Sequence, residues 1–235
     1  MRKKRRIAFI TNAVMLAALS AVFALSFTTF SAVPIYGGEE IKAIYGGNRT
    51  DGVSLTFNVY ENKSAVEKIV DILDEYNAKA TFFVGGCWAD DNKETLDKII
   101  KSGHELGNHG YFHKDHAKLS YEDNRQEIYL TGVVLTALCG YQPKLFAPPS
   151  GSFSYDTLKA ADDLGYKVIM WTKDTIDWRD SDAKKLVKRA TDNLKGGDVI
   201  LMHPKDHTVK VLPEILDKIA EKGFRAVTVG ENIGG

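Results

Sequence analysis

The sequence predicts an α/β fold: a distorted parallel (β/α) barrel of about seven strands, preceded by one N-terminal transmembrane helix. Three observations carry this reading. Strand-like and helix-like segments alternate about seven times between Val53 and Val229. The strand-like segments are short and apolar, and most do not alternate in polarity, as parallel strands covered on both faces should not. A glycine follows most of the helical segments, as a helix stop. Such alternation implies parallel strands joined by right-handed helical crossovers. An open, doubly wound sheet is the alternative architecture.

The chain begins with five positive charges in Met1 to Arg6, followed by an uncharged stretch from Ile7 to Gly38. A basic start before an apolar run is an export signal. The run from Ile7 to about Phe27 reaches the roughly 20 residues that a membrane-crossing helix needs. It exceeds the about 7–15 residues of a secretory core. Residues 1–33 are therefore expected to form an uncleaved membrane anchor, its N-terminus in the cytoplasm and the rest outside the cell membrane. Cleavage after Ser26, with small residues at Ala24 and Ser26, is the alternative and would give a secreted protein. Residues 34–52, with Gly37, Gly38, Gly46 and Gly47, read as a linker holding a candidate short strand at Ile41 to Tyr45. The domain is expected over residues 53–235.

Within it, Val53 to Tyr60 is the first strand. Lys63 to Tyr76 is a helix with Val66, Ile69, Val70 and Leu73 at helical spacing. Ala80 to Val84 is a strand closed by Gly85 and Gly86, and Lys93 to Lys101 is a helix ended by Gly103. His104 to Gly107 is a short strand. Ser120 is a candidate N-cap, with Asp123 three positions on, for a helix to about Leu138. Lys144 to Ala147 is a strand, Tyr155 to Leu164 a helix, and Lys167 to Trp171 a strand that buries Trp171. Asp182 to Leu194 is a helix, Asp198 to Met202 a strand, Val209 to Glu221 a helix, and Phe224 to Val229 the last strand.

Composition bounds the function. The 31 basic and 31 acidic residues cancel, which argues against a nucleic-acid partner bound through a broad basic surface. At 235 residues the chain supports one sizeable core. Its two cysteines, Cys87 and Cys139, are not needed as a disulfide framework, and their pairing stays open.

Four of the six histidines fall between His104 and His116. His109 and His113 are four apart. On a helix that spacing would put both imidazoles on one face, within reach of one metal ion. In a parallel barrel, function sits at the C-terminal ends of the strands. Here those ends lead into Asn58, Tyr60 and Glu61; into His109 and His113; into Pro148 to Ser152; into Lys173, Asp174, Asp177 and Trp178; and into His203. Histidines, carboxylates and aromatics converge on one rim.

Five blocks in this order resemble the polysaccharide deacetylases, the carbohydrate esterase family 4 group with the NodB homology domain. They are Ser54 to Phe57, Asn108 to His113, Phe146 to Gly151, Asp174 to Trp178 and Ile200 to His203. The resemblance covers about Val53 to Val229. It implies metal-assisted removal of N-acetyl groups from an amino-sugar polymer such as peptidoglycan. It implies a divalent metal, usually zinc, on His109 and His113 and an aspartate. A second aspartate would be the general base, and His203 would protonate the leaving amine, oriented by Asp177 or Asp174. The metal would polarise the acetyl oxygen and acidify a bound water. Tyr60, Pro149 and Trp178 are the candidate substrate contacts.

The first motif departs from the pattern. Its base position is Asn58 and its metal-aspartate position is Val59. The arginine that would pair with the base is Ala147, and Gly110 replaces the usual serine or threonine of the second motif. With the base carboxylate gone, a buried arginine would be an unpaired charge, so these losses are mutually consistent. Glu61 is a candidate replacement base or ligand, and Asn58 a weaker oxygen ligand. Three functions follow: an envelope-anchored deacetylase, a sugar-binding relative that lost the chemistry, and a metal-dependent amidase or esterase on another envelope substrate.

Overall fold

The structure, a computed structural model, describes residues 41–234. The anchor or signal segment expected at 1–33 lies outside the described residues. Among the described residues, no helix is long and apolar enough to cross a membrane.

The strands are β1 (Gly52–Val59), β2 (Ala80–Val84), β3 (Glu105–Asn108), β4 (Leu145–Phe146), β5 (Lys167–Val168), β6 (Lys173–Asp174), β7 (Val199–Met202) and β8 (Arg225–Val227). The helices are α1 (Lys63–Glu75), α2 (Gly86–Asp90), α3 (Lys93–Lys101), α4 (Tyr121–Cys139), α5 (Tyr155–Asp163), α6 (Ala183–Thr191), α7 (Asp206–Glu221) and α8 (Val229–Ile233). Every pairing is parallel, in the order β5-β4-β3-β2-β1-β7-β6, and β8 pairs with the N-terminal end of β1. This is the distorted barrel, curled but not fully closed. The open doubly wound alternative is set aside.

The two end strands, β5 and β6, follow each other in the chain with only residues 169–172 between them. Ile44 runs parallel to the β5 side of this seam. Its N–H donates to Val168 O at 2.8 Å, and its carbonyl accepts from Met170 N–H at 2.7 Å. Gly47 N–H donates to Gly197 O at 2.7 Å. Residues 41–51, read from the sequence as part of the linker, are thus hydrogen-bonded into the barrel wall.

Strand β1 shows how the sequence sorts inside from outside. Val53, Leu55, Phe57 and Val59 join the main apolar cluster, with Leu73 of α1 and Ile215 of α7. Ser54, Thr56 and Asn58 are buried on the other face. Successive strand residues point to opposite sides, so this second face is the barrel interior. Little alternation is expected of these strands, yet β1 alternates fully, because its interior face is polar. Phe83, Leu145, Ala147, Ile169 and Val199 form a separate apolar cluster with Val229. This cluster fills the barrel between the mouth and the N-terminal end.

Caps hold the helices where the sequence places them. Ser120 accepts from Asp123 N–H, and Gly140 ends α4 in the left-handed conformation. Ser154 and Thr157 form a capping box on α5, and Asp182 caps α6. Helix α7 starts at Asp206, three residues before the apolar periodicity begins. Helix α2, strand β6 and helix α8 are too short to carry a periodic signal, and the sequence reading passes over them.

Candidate functional site

A cavity of about 320 Å³ opens at the C-terminal ends of the strands, lined by Asn58, Tyr60, His109, His113, Ser150, Trp171, Asp174, Trp178, Leu201 and His203. Asn58 projects from the interior face of β1, and Leu201 from that of β7. His109 follows β3, and His203 follows β7. The same inside parity that makes the core delivers each side chain to the mouth.

His109 is 1% exposed, and its Nδ1 lies 2.7 Å from Ala147 O. A carbonyl only accepts, so Nδ1 carries the proton and Nε2 of the neutral ring is an acceptor. That Nε2 is buried without a partner. Burial, with the nearby His113 second, pushes the ring's pKa down to about 3. Asn58 is 3% exposed, and its Oδ1 is also buried without a partner. Each such orphan costs about 1–3 kcal/mol of desolvation until something pairs with it.

The His109–His113 pair is not on a helix, as its spacing allowed. The chain between them is a loop, and His113 itself is left-handed at φ 55°. Gly110, at φ 73°, makes the bend; a Cβ there would lie 2.9 Å from Nε2 of His116. The two rings meet edge to face at 5.1 Å, and Tyr60 packs on His113 at 4.3 Å. Burial lowers the pKa of His113 as well.

Glu127 of α4 holds this loop, a role the sequence reading missed. It is buried, and its Oε2 accepts from Tyr111 N–H at 3.0 Å and Phe112 N–H at 2.8 Å. Its Oε1 pairs with Lys114 at 3.0 Å. Asn124, Glu127 and Thr131 are all buried on α4. A polar stripe at i, i+3 and i+7 on a helix was the available signal.

On the opposite side, Asp177 is buried behind His203. Its Oδ1 is 2.8 Å from His203 Nδ1, and its Oδ2 accepts from His203 N–H at 2.7 Å and Thr208 Oγ1 at 2.7 Å. Nε2 of His203 is left to the cavity. Asp174 lines the cavity and does not orient His203; its Oδ1 accepts from Ile176 N–H at 2.7 Å. Ile176, which leads into Asp177, is left-handed at φ 57°, a strained state for a β-branched residue.

Three of the expected side chains have surroundings that the sequence does not reveal. Glu61 is bound to Lys205 at the rim and does not line the cavity. One of its carboxylate oxygens is thus engaged by the Lys205 ammonium. Pro149 is buried in a 3₁₀ turn, and its neighbour Ser150, left-handed at φ 56°, faces the cavity instead. Trp171 is half-buried: it packs against the interior apolar cluster and also lines the cavity beside the exposed Trp178. Trp178 is 52% exposed, with the Arg179 guanidinium 5.1 Å from its ring centroid. Cys87 and Cys139 are free thiols.

The family model for polysaccharide deacetylase matches residues 46–169. The chain belongs to the polysaccharide deacetylase family. It is 34% identical over 209 residues to a peptidoglycan-N-acetylglucosamine deacetylase of Bacillus cereus, covering 87% of this chain and 74% of that one. It is 36% identical over 198 residues to YlxY, an uncharacterized protein of Bacillus subtilis, covering 84% of this chain but only 60% of YlxY. Among solved structures, a CE4 family pseudoenzyme from Bacillus anthracis superposes with a TM-score of 0.78 at 34% identity, covering 81% of this chain and 68% of that one. A mutant of that pseudoenzyme, described as having restored enzymatic activity, matches with the same TM-score of 0.78 at 32% identity, covering 81% of this chain and 71% of that one.

The donor set lacks the carboxylate of the family's metal site, and the amide oxygen of Asn58, a weaker ligand, is a further candidate donor beside the two imidazoles in the cavity lining. His109 and His113 offer two neutral imidazoles. The third position is Val59, an isopropyl group that is 0% exposed in the main apolar cluster. Among the described residues, no group of three or more histidine, cysteine, aspartate and glutamate side chains is placed to hold a metal ion. Structural zinc takes four donors, and a catalytic site keeps three from the protein.

Proposed function

We propose that this chain is a glycan-binding member of the deacetylase family, acting on a peptidoglycan-type amino-sugar polymer without hydrolysing it. One observation carries the reading: the base and metal-carboxylate positions are a buried amide, Asn58, and a buried isopropyl group, Val59, beside a mouth that keeps His109, His113 and His203. An amide has no proton affinity near neutral pH, and a hydrocarbon has no lone pair to give a metal. The substitute carboxylate, Glu61, is held by Lys205. The parts that bind a sugar remain. Trp178, Trp171 and Tyr60 offer ring faces, and the three histidines and Asp174 offer polar contacts. The enzymes named among the relatives act on peptidoglycan, and a structural neighbour at 34% identity is a pseudoenzyme; both support this reading.

The polymer, on this proposal, is met outside the cell membrane, where the basic start and apolar run of residues 1–33 would place the domain. Protease added to intact cells should digest the domain; a protected domain would refute this placement. The functional test is binding of a partially N-acetylated glucosamine oligomer to the full-length chain, with zinc supplied and acetate measured. Saturable binding with no acetate above a blank is expected. Acetate release that His203→Ala abolishes would return the chain to the deacetylases.

A further inference from the structure

We propose that Arg179, held over Trp178 at the rim of the cavity, is a subsite for a carboxylate, and that the chain therefore prefers a glycan with acidic units, such as the lactyl-bearing muramic acid of peptidoglycan, over a neutral amino-sugar polymer. This rests on the glycan-binding reading and specifies its ligand.

The segments that follow the strands at the mouth carry four lysines and arginines: Lys114, Lys118, Arg179 and Lys205. Three of them are already paired. Lys114 meets Glu127 at 3.0 Å, Lys118 meets Asp115 at 2.7 Å, and Lys205 is bound to Glu61. Arg179 is exposed, and among the described residues no carboxylate lies within 4.0 Å of it. Its neighbour in the chain, Asp180, is committed elsewhere. Asp180 Oδ2 accepts from Arg189 Nη2 at 3.0 Å, and Oδ1 accepts from Asp182 N–H at 3.1 Å. The loop also fixes where the guanidinium stands. Arg179 N–H and Asp180 N–H both donate to Ile176 O, at 3.1 and 2.9 Å, and the guanidinium lies 5.1 Å from the Trp178 ring centroid.

A cation over an indole uses its charge and leaves its N–H fork to a planar anion. Trp178 lines the cavity and Arg179 does not, so the anion site is one side chain outside the space for a sugar ring. Inside that space the Asp174 carboxylate repels an anion, and Asp177 is buried behind His203. An acidic substituent is therefore refused by the cavity and matched at its rim, where a charge-assisted pair with the fork can form. A neutral polymer leaves Arg179 hydrated and gains nothing from it.

The test titrates the full-length chain with two tetramers: peptide-free peptidoglycan glycan, alternating N-acetylglucosamine and N-acetylmuramic acid, and N-acetylglucosamine alone. At low salt the acidic tetramer should bind about three- to fivefold tighter, the upper range for one solvent-exposed ion pair. The preference should shrink as salt rises from about 0.01 to about 1 M, over which the screening length falls from about 30 to about 3 Å. Converting the lactyl carboxylates to methyl esters should remove it, which separates charge from the bulk of the lactyl group. Arg179→Gln should bring the two tetramers to equal affinity. Arg179→Lys, which keeps the charge without the fork, should retain part of the preference. Equal affinity in wild type, a preference that survives esterification, or one that Arg179→Gln leaves intact would overturn the proposal while the glycan-binding reading stands. Binding of neither tetramer would overturn both. The wild-type comparison of acid and ester decides the matter even if a variant fails to fold.

Discussion

Asn58 and Val59 are neighbours on one strand, yet they belong to different compartments. Asn58 lines the mouth, and Val59 packs with the helix layer. On the proposed reading, one carboxylate would therefore supply only half of what a hydrolytic site needs. Asn58→Asp alone should leave acetate release at background, measured with zinc supplied, because the third metal ligand is still a hydrocarbon. Release from that single variant would show that a metal is held without position 59. Gly107 is constrained in a different way. A Cβ there would lie 2.3 Å from the Phe83 ring. Gly107→Ala should cost about 1–3 kcal/mol in a urea titration, the usual penalty for overpacking a filled core. At this scale the sequence was informative wherever a motif fixed the position. Asn58, His109, His113 and His203 reach one cavity as their strand ends require. It failed where a side chain's partner comes from elsewhere in the chain. Nothing near Glu61 announces Lys205, 144 positions away.

The elements that present the site are held by side chains outside it. The histidine loop is tied down by α4 through Glu127, and by the start of α2, where Gly86 N–H donates to Gly110 O at 2.9 Å. Glu127→Ala should lower stability by about 2–3 kcal/mol, read by denaturant unfolding, since it leaves two charge-assisted hydrogen bonds unmade. Glu127→Gln, which keeps an acceptor, should lose less. If the alanine variant unfolds at the wild-type midpoint, the loop is held by other contacts. Most helices and strands of the domain were legible, because their apolar periods, caps and stop glycines agree with one another. Ser120 and Gly140 bracket α4 where the sequence predicted a start and a stop. The exceptions have physical causes. Helix α2 has five residues, less than two turns, and β6 is two charged residues at a sheet edge. Residues 41–51 looked like linker because hydrogen bonding by backbone alone, as at Ile44 and Gly47, leaves no mark on composition.

At the scale of the whole molecule, the barrel buries polar groups at its mouth and below its core, and these make its stability depend on pH. His104 is buried against Phe82 with neither ring nitrogen hydrogen-bonded, and its Nε2 lies 3.9 Å from Asp74 Oδ1. Burial, with Lys79 second, pushes its pKa down to about 4, against an ordinary value near 6.5. Between those values the unfolded chain binds more protons than the folded one, so stability falls as pH drops through that window. The melting temperature of His104→Leu should fall less steeply than wild type from pH 6.5 to 4. Some slope should remain, because His109 and His116 are shifted in the same direction. An unchanged slope would remove His104 from the account.

The family's fold and rim were readable from five short blocks; on the proposed reading, the loss of hydrolysis rests on two side chains, Asn58 and Val59, with Glu61 paired to Lys205. The most direct measurement is a single incubation of the full-length chain, zinc supplied, with a partially N-acetylated glucosamine oligomer, reading bound oligomer and free acetate from the same sample. The predicted result is saturable binding with acetate no higher than in His203→Ala. Acetate that accumulates with wild type and not with His203→Ala would contradict it.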